Sequence, residues 1–154
     1  MFDTIVVATD GSDSVRRAVA LAVDIAARFE ADVHAVYVLG AREAESTPSE
    51  VREDLQGALD DRGREALDRV ADAARTRDAD LDVTLGVREG RPAEEIDAYA
   101  REVDADLVAM GTRGRHGEDR FLIGSVAEGV VRTCPVPVVT VRRLTEADPP
   151  QTPV

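Results

Sequence analysis

Apolar positions along the chain alternate between short continuous runs and helical periods. Thr4 to Thr9 (T-I-V-V-A-T) is a continuous β-branched run, which predicts a strand covered on both faces. Beyond Asp10-Gly11-Ser12, Val15, Ala18, Val19, Ala22, Ile25, Ala26 and Phe29 recur at helical spacing with Arg16, Arg17, Asp24 and Arg28 opposite, a first helix with Ser12 as its N-cap. Ala31 to Leu39 reads as a second strand, and Gly40 to Pro48 as a polar connecting loop. From Ser49 to about Arg77 the apolar residues Val51, Leu55, Leu59, Ala66, Val70 and Ala73 predict a long helix. Gly57 and Gly63 each cost it about 1 kcal/mol relative to Ala, so a bend or frayed start is expected there.

Leu81 to Val87 alternates apolar with polar residues, the pattern of a strand with one poorer face and hence nearer an edge. Arg88 to Arg91 reads as a turn, and Pro92 suits the first position of a third helix lined by Ile96, Tyr99, Ala100 and Val103. Asp106 to Met110 is a fourth strand. Ser125, Val126, Val130 and Val131 form a short fourth helix closed by Cys134-Pro135, and Val136 to Val141 is a fifth strand. Strands alternating with helices imply right-handed crossovers and an α/β fold, a parallel sheet with helices on both faces. One domain over 1–143 is expected; the proline-containing stretch 144–154 has no periodic pattern and is expected to be a disordered tail.

Composition narrows the partners. The 154 residues carry 31 acidic against 19 basic side chains, a net charge of −12, a field that repels nucleic acid and anionic membranes. No apolar run approaches the roughly 18 residues of a membrane span, and the N-terminus begins in a strand-like run with no signal peptide, so a cytoplasmic protein is expected. The lone Cys134 excludes an intramolecular disulfide and suits a reducing compartment. Every one of the 19 basic residues is Arg. Acidic helices without lysine suggest a surface built for high salt, where screening makes such charge tolerable; a GC-rich genome is the alternative source of lysine loss.

The candidate chemistry lies between the fourth strand and the fourth helix. The apolar run ending at Met110 meets Gly111 and Gly114; nine residues follow, and Gly124-Ser125 opens the helix. Such a loop gathers free backbone N–H groups and the positive end of a helix dipole, which stabilise an anion. No G-K-[ST] follows, so a P-loop NTPase is not expected. The spacing Gly111-x-x-Gly114, nine residues, Gly124-Ser125 resembles the nucleotide-binding signature of the universal stress protein family (UspA-like), in its ATP-binding branch. The likeness continues at Val6 to Ser12, Val87 to Ala93 and Cys134 to Val138.

The resemblance implies an adenine nucleotide alpha hydrolase-like, three-layer α/β fold with five parallel strands in the order 3-2-1-4-5. The topological switch then lies between strands one and four, outside Asp10 and Gly111. Asp10 reads either as an Asx-turn residue or as a ligand for a nucleotide hydroxyl or a divalent ion, and the family's matching acidic position contacts ATP. Thr9 and Gly11 shape the turn, with Thr9 counted among the lining residues. Gly111, Gly114 and Gly124 let the backbone approach ribose and phosphate. Ser125-x-x-Glu128 has the form of a capping box, so its hydroxyl reads as a cap or a phosphate contact; the resemblance favours contact. Val126 offers a first-turn N–H, and Val38 matches a position whose backbone meets adenine. Independently of the resemblance, Arg113, Arg115 and Arg120 read either as a solvated loop or as local positive charge for a polyphosphate. Gly129 departs from the family, many members of which carry a longer side chain there.

The expected ligand is ATP, with Mg²⁺ or Mn²⁺ held by Asp10 and the phosphates. Without a P-loop lysine or an evident water-activating base, at most slow hydrolysis is expected, and stress signalling through the bound state is the leading function. A nucleotide-free scaffold working through protein partners is the alternative. An adenylyl- or phosphoryl-transfer enzyme would need a catalytic lysine or metal cluster. The fifth strand, V-P-V-V-T-V over Val136 to Val141, would be a bare edge that a homodimer covers, as family members do.

Overall fold

The computed structural model describes residues 1–40, 49–112 and 123–143, with 49–56 described by their backbone. The chain runs β1 (Thr4–Ala8), a 3-10 turn (Asp13–Val15), α1 (Arg16–Phe29), β2 (Asp32–Gly40) and α2 (Ser49–Arg77). It continues through β3 (Val83–Gly90), α3 (Pro92–Glu102), β4 (Leu107–Gly111), α4 (Ser125–Thr133) and β5 (Val138–Val141). All five strands are parallel, in the order β3-β2-β1-β4-β5. The fold is therefore the expected three-layer α/β sandwich.

β1 is central because its run is apolar on both faces. Ile5 and Val7 point to one side with Val33, Ala35 and Tyr37 of β2, beneath α1 and α2. Val6 and Ala8 point to the other with Val36, Val108 and Met110, beneath α3 and α4. The period-two alternation of strand side chains thus divides the core into two layers. Ile5, Val6 and Val7 are fully buried, and each such side chain contributes roughly 1.5–3 kcal/mol of burial. At the base of the sheet, Asp106 Oδ2 accepts the N–H groups of Asp3 at 2.8 Å and Thr4 at 3.0 Å, which aligns the start of β1 beside β4.

Three local expectations, on β3, β5 and Ser12, are corrected. β3 continues through Arg88 and Glu89 to Gly90, where a turn was expected, because β2 pairs with it as far as Gly40↔Gly90. Arg88 is held there by an ion pair with Glu102 and a stacking contact over the Tyr99 ring. β5 starts at Val138 rather than Val136; Pro137, which has no N–H to give, still offers its carbonyl to Val108. α2 is one helix across Gly57 and Gly63. Gly63 is there for packing: a Cβ would lie 2.9 Å from the Tyr37 ring. Ser12 stands before the 3-10 turn, yet its side chain makes no cap and turns back to Asp10.

Candidate functional site: the crevice outside β1 and β4

The chain leaves β1 toward β2 on one side and returns as β4 on the other, so a crevice opens at the carboxyl ends of these two strands. Its first wall is the turn after β1. Asp10 Oδ1 accepts the Ser12 N–H at 2.9 Å and the Ser12 hydroxyl at 2.6 Å, an Asx turn. The Thr9 hydroxyl accepts the Gly11 N–H at 3.2 Å. Gly11 has φ +76°, and a Cβ on it would come within 3.1 Å of Ala66 on α2. Arg69 of α2 donates to the Gly11 carbonyl at 2.9 Å. The Asx-turn reading of Asp10 therefore holds, with one carboxylate oxygen making the turn and the other without a partner among the described residues. A hollow of about 160 Å³ beside Asp10 is bordered by Arg62, Glu65 and Arg69.

The second wall is the end of β2. Pairing with β1 stops at Ala8↔Val36, and the Val36 carbonyl accepts the Thr9 N–H at 3.0 Å. Backbone groups of a strand face the same neighbour every second residue. Val38, two residues on, therefore directs its N–H and C=O past the end of β1 into the crevice. Its half-buried side chain packs on the α3–α4 side. His34 and Tyr37 are packing residues: His34 Nδ1 lies 3.3 Å from the Tyr99 hydroxyl, and Tyr37 is buried among β2 and α2 residues.

The third wall is the start of α4. Gly124 is the N-cap, in extended conformation (φ −77°, ψ 163°), with no side-chain cap. Its N–H donates to the Thr112 carbonyl, and the Thr112 N–H donates to Val141 at 3.1 Å. The first intrahelical bond runs from Glu128 N–H to Gly124 at 2.9 Å. The N–H groups of Ser125, Val126 and Ala127 precede it and have no partner among the described residues. The capping box does not form: Ser125 is the first helical residue rather than the cap, its side chain is exposed, and Glu128 pairs with Arg132. Thr112 and Ala127 belong to this wall although their side chains gave no signal. The Thr112 hydroxyl is buried and has no hydrogen-bond partner among the described residues.

Gly129 also finds a physical reason. A Cβ there would meet that of Ala93 at 2.8 Å, so the glycine lets α3 and α4 approach. Asp97 of α3 accepts a hydrogen bond from the Thr133 hydroxyl at the other end of the contact. Burial pushes the nearby Cys134 thiol up from its ordinary range, and the side chain packs against the α3–α4 core layer. Of the expected site residues, Thr9, Asp10, Val38, Gly111, Gly124, Ser125 and Val126 converge on the crevice. Arg113, Gly114, Arg115 and Arg120 lie outside the described residues, as does the tail at 144–154. Among the described residues no group of three or more His, Cys, Asp or Glu side chains is placed to hold a metal ion.

A match to the universal stress protein family covers residues 1–142. The chain belongs to the universal stress protein family. This universal stress protein is 37% identical over 144 residues to MJ0531 of Methanocaldococcus jannaschii, also a universal stress protein, covering 93% of this chain and 84% of the relative. Its fold superposes on UspA of Lactobacillus plantarum with a TM-score of 0.79 and 26% identity, covering 92% and 98% of the two chains. Similar structures include a universal stress protein in complex with cAMP (TM-score 0.68, 28% identity, 92% and 97% covered). Another is the Archaeoglobus fulgidus protein in complex with dAMP (TM-score 0.67, 26% identity, 92% and 98% covered). No helix among the described residues is long and apolar enough to cross a membrane.

Proposed function

We propose that this universal stress protein binds an adenine nucleotide, ATP first, in the crevice outside β1 and β4, and acts in stress signalling through the bound state. The observation that carries the reading is the set of unpartnered N–H groups of Ser125, Val126 and Ala127 at the N-terminus of α4, next to the end of β4. Such amides take a phosphate without a lysine, aided by the helix dipole. Val38 offers a donor and an acceptor where an adenine edge would lie, and Asp10 a carboxylate oxygen for a ribose hydroxyl. That oxygen also suits a Mg²⁺ or Mn²⁺ ion bridging the phosphates of ATP. The cAMP and dAMP complexes of similar proteins support an adenine nucleotide as the class. Gly114 is assigned to the phosphates on the signature alone, and Arg113 and Arg115 on their charge alone.

Slow hydrolysis at most is our reading from the sequence, which has no P-loop lysine. The edge strand β5, half-buried along Val138–Val141, supports a homodimer formed by pairing two copies. The acidic charge and the lone cysteine support a cytoplasmic setting. Mass spectrometry of the small molecules released on denaturing freshly purified protein tests the central reading. An adenine nucleotide near one equivalent is expected. If none is released and calorimetry with added ATP shows no heat, the nucleotide assignment fails and a scaffold acting through protein partners takes its place.

A further inference from the structure

Behind the Asp10-Gly11-Ser12 turn, residues of α1 and α2 line a groove of about 320 Å³, a volume within the range of small-molecule sites. It lies next to the hollow beside Asp10 and shares Gly11, Ala66 and Arg69 with it. Val15, Val19 and Val70 are buried residues that give it an apolar floor, and Arg16 and Arg69 stand at its margin. Arg69 is anchored by its 2.9 Å bond to the Gly11 carbonyl through one nitrogen, and a guanidinium has further N–H donors to spare. Arg16 reaches Asp13 only at 3.9 Å, beyond hydrogen-bond length. The acidic lining residue, Asp72, is engaged by Arg75 at 3.2 Å. An apolar floor with two guanidinium groups at its margin, each with donors unused among the described residues, is complementary to an apolar body carrying a carboxylate.

We propose that the α1–α2 groove is a second ligand site, for a small amphipathic carboxylate whose apolar chain covers Val15, Val19 and Val70 and whose head meets Arg16 and Arg69. The assignment does not depend on nucleotide binding in the crevice.

Octanoate is the probe, titrated into the full chain by calorimetry beside octylammonium, which has the same chain length and the opposite charge. Ala73, half-buried at the groove, is replaced in Ala73→Leu to fill it, and exposed Arg16 in Arg16→Glu to reverse the head contact. Both positions are helical and accept these residues without burying a charge, and melting curves verify that each variant is folded. Saturable octanoate binding is expected, abolished in Ala73→Leu and weakened about tenfold or more in Arg16→Glu, the scale of one charge-assisted contact. The proposal is overturned if octanoate does not saturate the unaltered protein, if octylammonium binds as well as octanoate, or if either folded variant binds octanoate as the unaltered protein does.

Discussion

The Gly124 N–H donates to the Thr112 carbonyl, binding the first residue beyond β4 to the cap of α4. This closes the two ends of the intervening loop on each other and removes Gly124 from the set of amides open to a ligand. The donors that remain are those of Ser125, Val126 and Ala127. In an amide-resolved NMR titration with ATP, these three resonances are expected to move most among the residues of α4. The Gly124 amide is expected to exchange slowly with solvent before ligand is added, because it already has a partner.

Three glycines make contrasting stability predictions. Gly11→Ala places a Cβ on a backbone with φ +76° and against Ala66 at 3.1 Å; the left-handed conformation alone costs about 1–2 kcal/mol, a drop of a few degrees in Tm. Gly129→Ala gains helix propensity of about 1 kcal/mol but drives a Cβ to 2.8 Å from that of Ala93, and is expected to destabilise. Gly57→Ala has nothing within 4 Å of the new Cβ, so propensity stands alone and the variant is expected to gain up to about 1 kcal/mol. Thermal melts of the three variants read all of these signs.

Much of this arrangement was legible in the sequence, and the exceptions share a cause. The continuous run Ile5-Val6-Val7 marked the central strand, and Gly124-Ser125 marked the start of α4. Periodicity could not show that β3 extends to Gly90, since pairing with β2 carries Arg88 and Glu89 into the sheet. The Ser125-x-x-Glu128 spacing mimicked a cap, but the first helical bond, from the Glu128 N–H to the Gly124 carbonyl, places the cap one residue earlier. Gly63 and Gly129 looked like weak helix positions because their reasons, Tyr37 and Ala93, lie on other elements. Arg69 gave no signal for the same reason: its partner Gly11 is 58 residues away in sequence. Ala127 contributes an amide, which no side-chain pattern can announce.

Acid should loosen the base of the sheet. The N–H groups of Asp3 and then Thr4 hold the Asp106 carboxyl below its usual range. A carboxylate lowered in the folded state stabilises at pH values above its unfolded pKa, and that contribution disappears as pH falls through the folded value. The Tm of the protein is therefore expected to fall with pH across and below the ordinary carboxylate range. Asp106→Asn is expected to have a shallower dependence there and a lower Tm at neutral pH.

The net charge of −12, with no lysine, gives a prediction for salt. Self-repulsion among exposed carboxylates is long-ranged at low ionic strength and screened within a few ångströms near 1 M. We read the surface as adapted to high salt, and the free energy of unfolding is expected to rise from millimolar to molar KCl. Equal or greater stability at low salt would leave lysine loss to a genomic cause.

The proposed role of the α4 amides is tested most directly by removing one N–H while keeping the fold. Gly124 already has ψ 163°, the extended conformation that a following proline requires, and proline is well tolerated at the first helical position. Ser125→Pro therefore deletes one proposed phosphate donor, and Ser125→Ala removes the hydroxyl while retaining the N–H. Calorimetric titration of ATP into both variants is expected to show affinity reduced about tenfold or more in Ser125→Pro, the scale of a hydrogen bond to a charged group, and a smaller loss in Ser125→Ala. A folded Ser125→Pro protein that binds ATP as tightly as the Ser125→Ala variant would contradict the account.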